Sequence, residues 1–155
     1  MSRQLPAHIE REGFRMLGAF ADDRLAGFAY GYHGAPGQWW YERVAAALDR
    51  NGRTRWLGDG YFELVELAVD PEFQRRGIGG RLHDTLLEPE RGPALLSTQV
   101  DNGPARRLYF GRGWELVVPA LRFARGGGAY SVLGLPRSRL PRLVTPGAGV
   151  VAAGE

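Results

Sequence analysis

The chain has 155 residues, 44% of them hydrophobic, and a formal net charge of +3, which is enough for one domain that buries roughly two thirds of its unfolded surface. The absence of cysteine excludes disulfides, thiolate metal sites and a cysteine nucleophile, and because all 20 basic residues are arginine, the phosphate-loop signature with its obligatory lysine is excluded as well. A charge this modest, with 17 carboxylates interspersed among the arginines, argues neither for nor against nucleic acid.

The N-terminal stretch MSRQLPAHIER has no apolar leader core, and no later run nears the roughly 20 residues that span a bilayer, so the expected location is the cytoplasm. FRMLGAFADDRLAGFAYGYHG alternates small and large apolar residues around Asp22-Asp23 and reads as an antiparallel hairpin. In QWWYERVAAALDR, residues 38–50, the period changes: Trp40, Val44, Ala47 and Leu48 mark a helix closed by Asn51-Gly52. YFELVELAV returns to strand, too continuously apolar for a surface position and therefore expected at the centre of its sheet; Pro71 ends it. After DPEFQRRGIGG, Ile78, Leu82 and Leu86 form a helical stripe that Pro89 terminates. ALLSTQV reads as a buried strand. Asp101 and Asn102 are both suitable N-caps for PARRLYFGR, which opens with proline in its first turn. ELVVPALRF and AYSVLGL form a last antiparallel pair around Gly126-Gly127-Gly128. The expected organisation is one domain over residues 1–137, with residues 138–155, rich in proline and glycine, as a mobile tail.

The order strand, glycine-rich turn, helix start at residues 70–80 aims backbone N–H groups at something negative. A dinucleotide fingerprint fails there, because Leu82 stands where the third glycine is required. His8, His33 and His83 show no metal-ligand spacing, so no metal is expected.

Gln74-Arg75-Arg76-Gly77-Ile78-Gly79 does fit the Q/R-x-x-G-x-G/A signature of the GNAT superfamily, the acetyl-CoA dependent N-acetyltransferases. A second stretch, NGPARRLYFGRGW at 102–114, resembles that family's N-x-x-A-x-x-L-Y-x-x-x-G-F with tryptophan as the final aromatic. Together the motifs identify the chain as resembling a bacterial-type GNAT enzyme over about residues 16–135. The resemblance implies an α/β (α+β) fold, a mixed and mostly antiparallel sheet flanked by helices. It also implies acetyl-CoA as co-substrate, with a small-molecule or peptide amine as acceptor. It implies no membrane and no nucleic-acid partner, and it is compatible with a homodimer. A non-catalytic acyl-CoA-binding module is the alternative, and an arginine-rich nucleic-acid binder the more distant one.

Carried over residue by residue, the resemblance implies that the N–H groups from Arg75 through Arg76, Gly77, Ile78 and Gly79 to Gly80, preceded by Gln74, hold the coenzyme pyrophosphate at a helix N-terminus. Arg75 and Arg76 would add charge-assisted contacts. Leu67, Ala68 and Val69 would pair with the pantetheine arm, the Leu67 N–H polarising the thioester carbonyl. Tyr109 matches the general acid for the departing thiolate, and Asn102 a residue that touches pantetheine or caps the helix. Glu63 coincides with the base position of histone and some aminoglycoside acetyltransferases; Glu66 is the other candidate, on the opposite strand face unless a bulge intervenes. Ribosomal-protein N-terminal acetyltransferases share the turn but carry a glutamate where this chain has Ser97, which counts against that activity. In two respects the chain departs from the family. Only about 15 residues precede the hairpin, so the chain begins late or the acceptor side of the cleft is more open. The aromatic segment from Pro36 to Gly60 is longer than usual; it either packs as an amphipathic helix or rebuilds part of the acceptor pocket.

Overall fold

A computed structural model describes residues 5–136 in full and residues 150–153 by their backbone. They form two compact units. The first takes in the chain up to His33, Leu64–Glu90 and a C-terminal strand; the second takes in Gly34–Glu63 and, among the described residues, 91–136.

In the first unit a single short turn of helix, α1 (Leu5–His8), precedes the strands β1 (Arg15–Ala21) and β2 (Arg24–His33), which pair antiparallel with Ala21 opposite Arg24. Asp22 and Asp23 both adopt positive φ, 53° and 61°, the backbone of a two-residue turn whose twist matches the strands it joins. The expected hairpin is therefore present, with its turn at the expected aspartates. β3 (Phe62–Val69) lies next to β2 in the sheet. α3 (Ile78–Leu87) packs on β1 and β2 through the stripe Ile78, Leu82 and Leu86, all buried. The outer edge of β1 is covered by β7 (Val150–Ala153), antiparallel from Met16↔Ala153 to Ala19↔Val150. The sequence reading left these four residues in a structureless tail. Pairing with an exposed strand edge supplies backbone partners, a long-range gain to which local composition is blind. Residues 137–149 and 154–155, the rest of that expected tail, lie outside the described residues.

The second unit contains α2 (Trp39–Arg50), β4 (Ala94–Gln99), α4 (Gly103–Gly111), β5 (Glu115–Arg122) and β6 (Ala129–Leu135). β6 is paired antiparallel with β4 on one side and β5 on the other. β4 runs parallel to the first residues of β3, with Phe62↔Ala94 and Glu63↔Leu95 in register. β3 is thus flanked on both sides, the central position its apolar run predicts. The core of this unit gathers Val44, Ala47 and Leu48 of α2 with Trp56, Tyr61, Leu95, Val117, Val118 and Val132. Trp56 lies flat against β6: a Cβ on Gly134 would fall 2.6 Å from its ring. The sheet is mixed and mostly antiparallel with helices packed on it, as expected.

Candidate functional site

The turn after β3 is built almost entirely from backbone geometry. Asp70 caps a single 3₁₀ turn, Pro71–Phe73, its Oδ1 accepting from the Glu72 N–H at 2.9 Å. Phe73 is buried and anchors the turn. The guanidinium groups of Arg76 and Arg24 lie over its ring at 5.1 and 5.3 Å. The Gln74 amide donates to the Val69 carbonyl at 3.1 Å, which closes the loop across its base.

Arg75 then adopts φ +65° and Gly77 φ +77°. A left-handed arginine is uncommon, and such outliers gather where a backbone is held for a ligand. Gly77 is the N-cap of α3 and has no side chain to offer. The first bond into the helix runs from the Arg81 N–H to the Gly77 carbonyl at 3.1 Å, so the N–H groups of Ile78, Gly79 and Gly80 require partners from outside the helix. A Cβ on Gly77 would meet nothing within 4 Å. One on Gly79 would meet only the side chains of Val69 and Leu67, at 3.6 and 3.7 Å. Two left-handed residues two positions apart, followed by N–H groups without helical partners, are a backbone pattern suited to an anion. The first unit therefore brings together Leu67, Ala68 and Val69, the whole of 74–80, and Glu66. The left-handed Arg75 and the buried Phe73 escaped the sequence reading. No residue type announces φ > 0 on an arginine; an aromatic just ahead of the turn was the available sign of an anchor.

The Asp70 N–H donates to the Ala26 carbonyl at 2.8 Å in the first unit, and the Gly34 N–H to the Tyr61 carbonyl at 3.0 Å in the second. Glu63 is buried and belongs to the second unit, whereas Glu66 is half-buried and belongs to the first.

In the second unit Asn102 caps α4, its Oδ1 accepting from the Ala105 N–H at 3.2 Å, with Pro104 in the first turn. Of the two roles open to Asn102, capping is therefore filled. Seven residues on, Tyr109 is buried edge-on against Trp114, ring centroids 5.6 Å apart. Burial pushes its hydroxyl up to about 12, so it keeps its proton throughout the neutral range. Ser97 on β4 accepts from the Trp40 indole Nε1 at 3.0 Å. The aromatic segment is split: Trp56 and Tyr61 are core, Trp40 and Tyr41 pack against it, and Trp39 stands half-exposed. Among the described residues no group of three or more His, Cys, Asp or Glu can hold a metal, and no helix is long and apolar enough to cross a membrane.

Comparison with known proteins agrees with this geometry. The chain is 41% identical over 118 residues to the GCN5-like protein acetyltransferase Rv2170 of Mycobacterium tuberculosis, covering 71% of this chain and 57% of that protein. It is 38% identical over 85 residues to the N-alpha-acetyltransferase RimI of the same organism, covering 54% of this chain and 52% of that protein. The chain thus spans about half the length of these curated relatives. Among solved structures, the fold resembles the ribosomal-protein-S18-alanine N-acetyltransferase from Escherichia coli (TM-score 0.57, 19% identity, 88% of this chain and 77% of that one). It also resembles a PaiA N-acetyltransferase from Thermoplasma acidophilum in complex with coenzyme A (TM-score 0.51, 19% identity, 80% and 61%). The acetyltransferase (GNAT) family model matches residues 2–114, a span that contains both motifs, and the chain belongs to that family.

Proposed function

We propose that this protein transfers an acetyl group from acetyl-CoA directly to a primary amine. The observation that carries the proposal is the turn at 74–80: a glycine N-cap in left-handed conformation with open space at its Cβ position, and three N–H groups in need of partners. The pyrophosphate of coenzyme A has the charge and the acceptor oxygens for such a turn, and the complex of the PaiA relative holds coenzyme A. The backbone of Leu67, Ala68 and Val69 would pair with the pantetheine arm.

In direct transfer the neutral amine nitrogen attacks the thioester carbonyl carbon, the carbon–sulfur bond breaks, the amine loses a proton and the thiolate gains one. A carboxylate on β3, Glu63 or Glu66, would take the amine proton. Tyr109 would serve the thiolate. A thiol titrates near 8.5, well below a phenol held at about 12, so full transfer from Tyr109 is uphill. The hydroxyl therefore stabilises the departing sulfur chiefly as a hydrogen-bond donor, with the proton following from solvent.

A thermal-shift and calorimetric titration of the full chain with acetyl-CoA tests the reading, since a ligand that binds only the folded state raises its apparent stability. Binding together with acetylation in a panel of amines is the expected result. Absence of binding would overturn it; binding without turnover on any amine would leave an acyl-CoA-binding module.

A further inference from the structure

The two units differ in charge as well as in topology. Residues 5–33 and 64–90 carry six arginines against ten carboxylates, while residues 34–63 and 91–136 carry ten arginines against six. In the first unit Arg15 and Arg24 are paired with Glu90 and Glu72 at 3.1 and 2.9 Å. In the second, three exposed arginines, Arg43, Arg122 and Arg125, take part in no ion pair among the described residues. Glu42, the nearest carboxylate in sequence to Arg43, is turned away to accept from the Gly37 N–H at 2.7 Å.

Of these, Arg43 stands against a row of aromatic rings. Trp39, 53% exposed at the start of α2, lies 5.5 Å from Phe123, which meets Tyr130 edge-on at 5.4 Å. The Arg43 guanidinium covers Trp39 at 5.3 Å and reaches the Phe123 carbonyl at 3.4 Å. Arg122, next to Phe123 in the chain, donates instead to the Gly127 carbonyl in the turn after β5. Tyr130 is paired with Gln99 at the end of β4, two residues beyond Ser97. The adjacent indoles of α2 thus point to different tasks: Trp40 is tied inward to Ser97, and Trp39 is left outward on the row.

An exposed tryptophan beside a guanidinium that has no carboxylate partner is a recognition surface, not a core remnant. Aromatic rings supply contact area at low entropic cost, and unpaired guanidinium groups supply forks for carboxylates. Trp39 is exposed and Phe123 and Tyr130 half-buried, a row along which an extended chain can lie. We infer that this face selects the acceptor: a peptide whose amine is flanked by acidic residues, laid along Trp39 and Phe123 with a carboxylate on Arg43. The inference deepens the acetyl-transfer reading and rests on it only for the identity of the reaction.

The test uses the full chain and three peptides of equal length, each with a free α-amine, one lysine and one tyrosine, the remaining residues being acidic, glutamine or arginine. Binding is read by tryptophan fluorescence without acetyl-CoA, and acetylation separately by mass spectrometry. The acidic peptide should bind at least about tenfold more tightly than the arginine peptide, the scale of one or two charge-assisted contacts. Trp39→Ala and Arg43→Glu should each remove that preference while acetyl-CoA affinity stays unchanged. Equal binding of all three peptides, or a preference that survives Arg43→Glu, overturns the inference even if acetylation proceeds. A single-stranded oligonucleotide that binds more tightly than the acidic peptide and is lost in Arg43→Glu also overturns it, by assigning the face to nucleic acid. Charge-selective binding without acetylation of any peptide upholds the surface and sinks the acetyl-transfer reading instead.

Discussion

The turn at 74–80 and the helix that carries Tyr109 invest their chemistry in opposite parts of the residue. In the turn, the backbone acts and side chains must be missing: Gly77 is left-handed with open space at its Cβ position, a Cβ on Gly79 would meet only Val69 and Leu67, and the N–H groups of the first turn are left to an outside partner. On α4 the backbone is conventionally satisfied, capped by Asn102, and a single buried hydroxyl carries the chemistry. The turn should therefore fail when any side chain is added, and α4 only when one particular atom is removed.

The largest expected effect follows from adding bulk to the turn. Gly79→Val places branched carbons where the phosphate would approach, and acetyl-CoA affinity measured by calorimetry should fall at least about a hundredfold, the order expected when two charge-assisted bonds are lost. The fold should survive, because the Cβ position is in ordinary van der Waals contact. Gly79→Ala sharpens the point: the backbone there has no positive φ, so alanine should raise stability by about 0.5–1 kcal/mol and still weaken acetyl-CoA. If both variants bind acetyl-CoA as the parent does, the turn is not the coenzyme site.

Next in size is the loss of the hydroxyl. In Tyr109→Phe, kcat should drop at least about tenfold, because the departing sulfur loses a hydrogen-bond donor, with acetyl-CoA affinity nearly unchanged. Because burial holds the phenol at about 12, the variant should keep the parent's pH–rate profile up to roughly pH 10. A high-pH limb that moves in the variant would show that Tyr109 titrates in the working range. Unchanged kcat would reduce the residue to packing against Trp114.

A smaller effect separates capping from catalysis on the same helix. Asn102→Ala removes the acceptor of the Ala105 N–H and should cost about 1 kcal/mol of stability, while Asn102→Asp retains the cap. If Asn102→Asp, stable as the parent, still loses acetyl-CoA affinity, the side-chain amide also serves the coenzyme.

The smallest expected effect concerns His8, buried against Tyr30 with its Nδ1 3.2 Å from the phenol oxygen. Burial, and then the neighbouring Arg11, lower its pKa, so the folded protein holds it neutral. The unfolded chain takes up the proton as pH falls below about 6.5, which makes stability decline on acidification. His8→Gln should flatten that part of the Tm profile between pH 7 and 5. A slope unchanged in the variant would assign the acid sensitivity to carboxylates.

The sequence by itself determined everything that depends on local order. The hairpin at Asp22-Asp23, the helix of Val44, Ala47 and Leu48, the stripe Ile78, Leu82 and Leu86, and both motifs were legible because turn chemistry, periodicity and spacing are properties of neighbours along the chain. Tertiary structure alone decided what depends on partners far away in sequence. β7 is a strand because the edge of β1 offers it hydrogen bonds, although its own residues lie in a stretch rich in glycine and proline. Of four aromatic rings that look alike in the sequence, Trp56 went into the core over Gly134, Trp40 to Ser97, Tyr41 against the core, and Trp39 outward. Burial is settled by what folds onto a side chain, and no residue carries that information in its own identity.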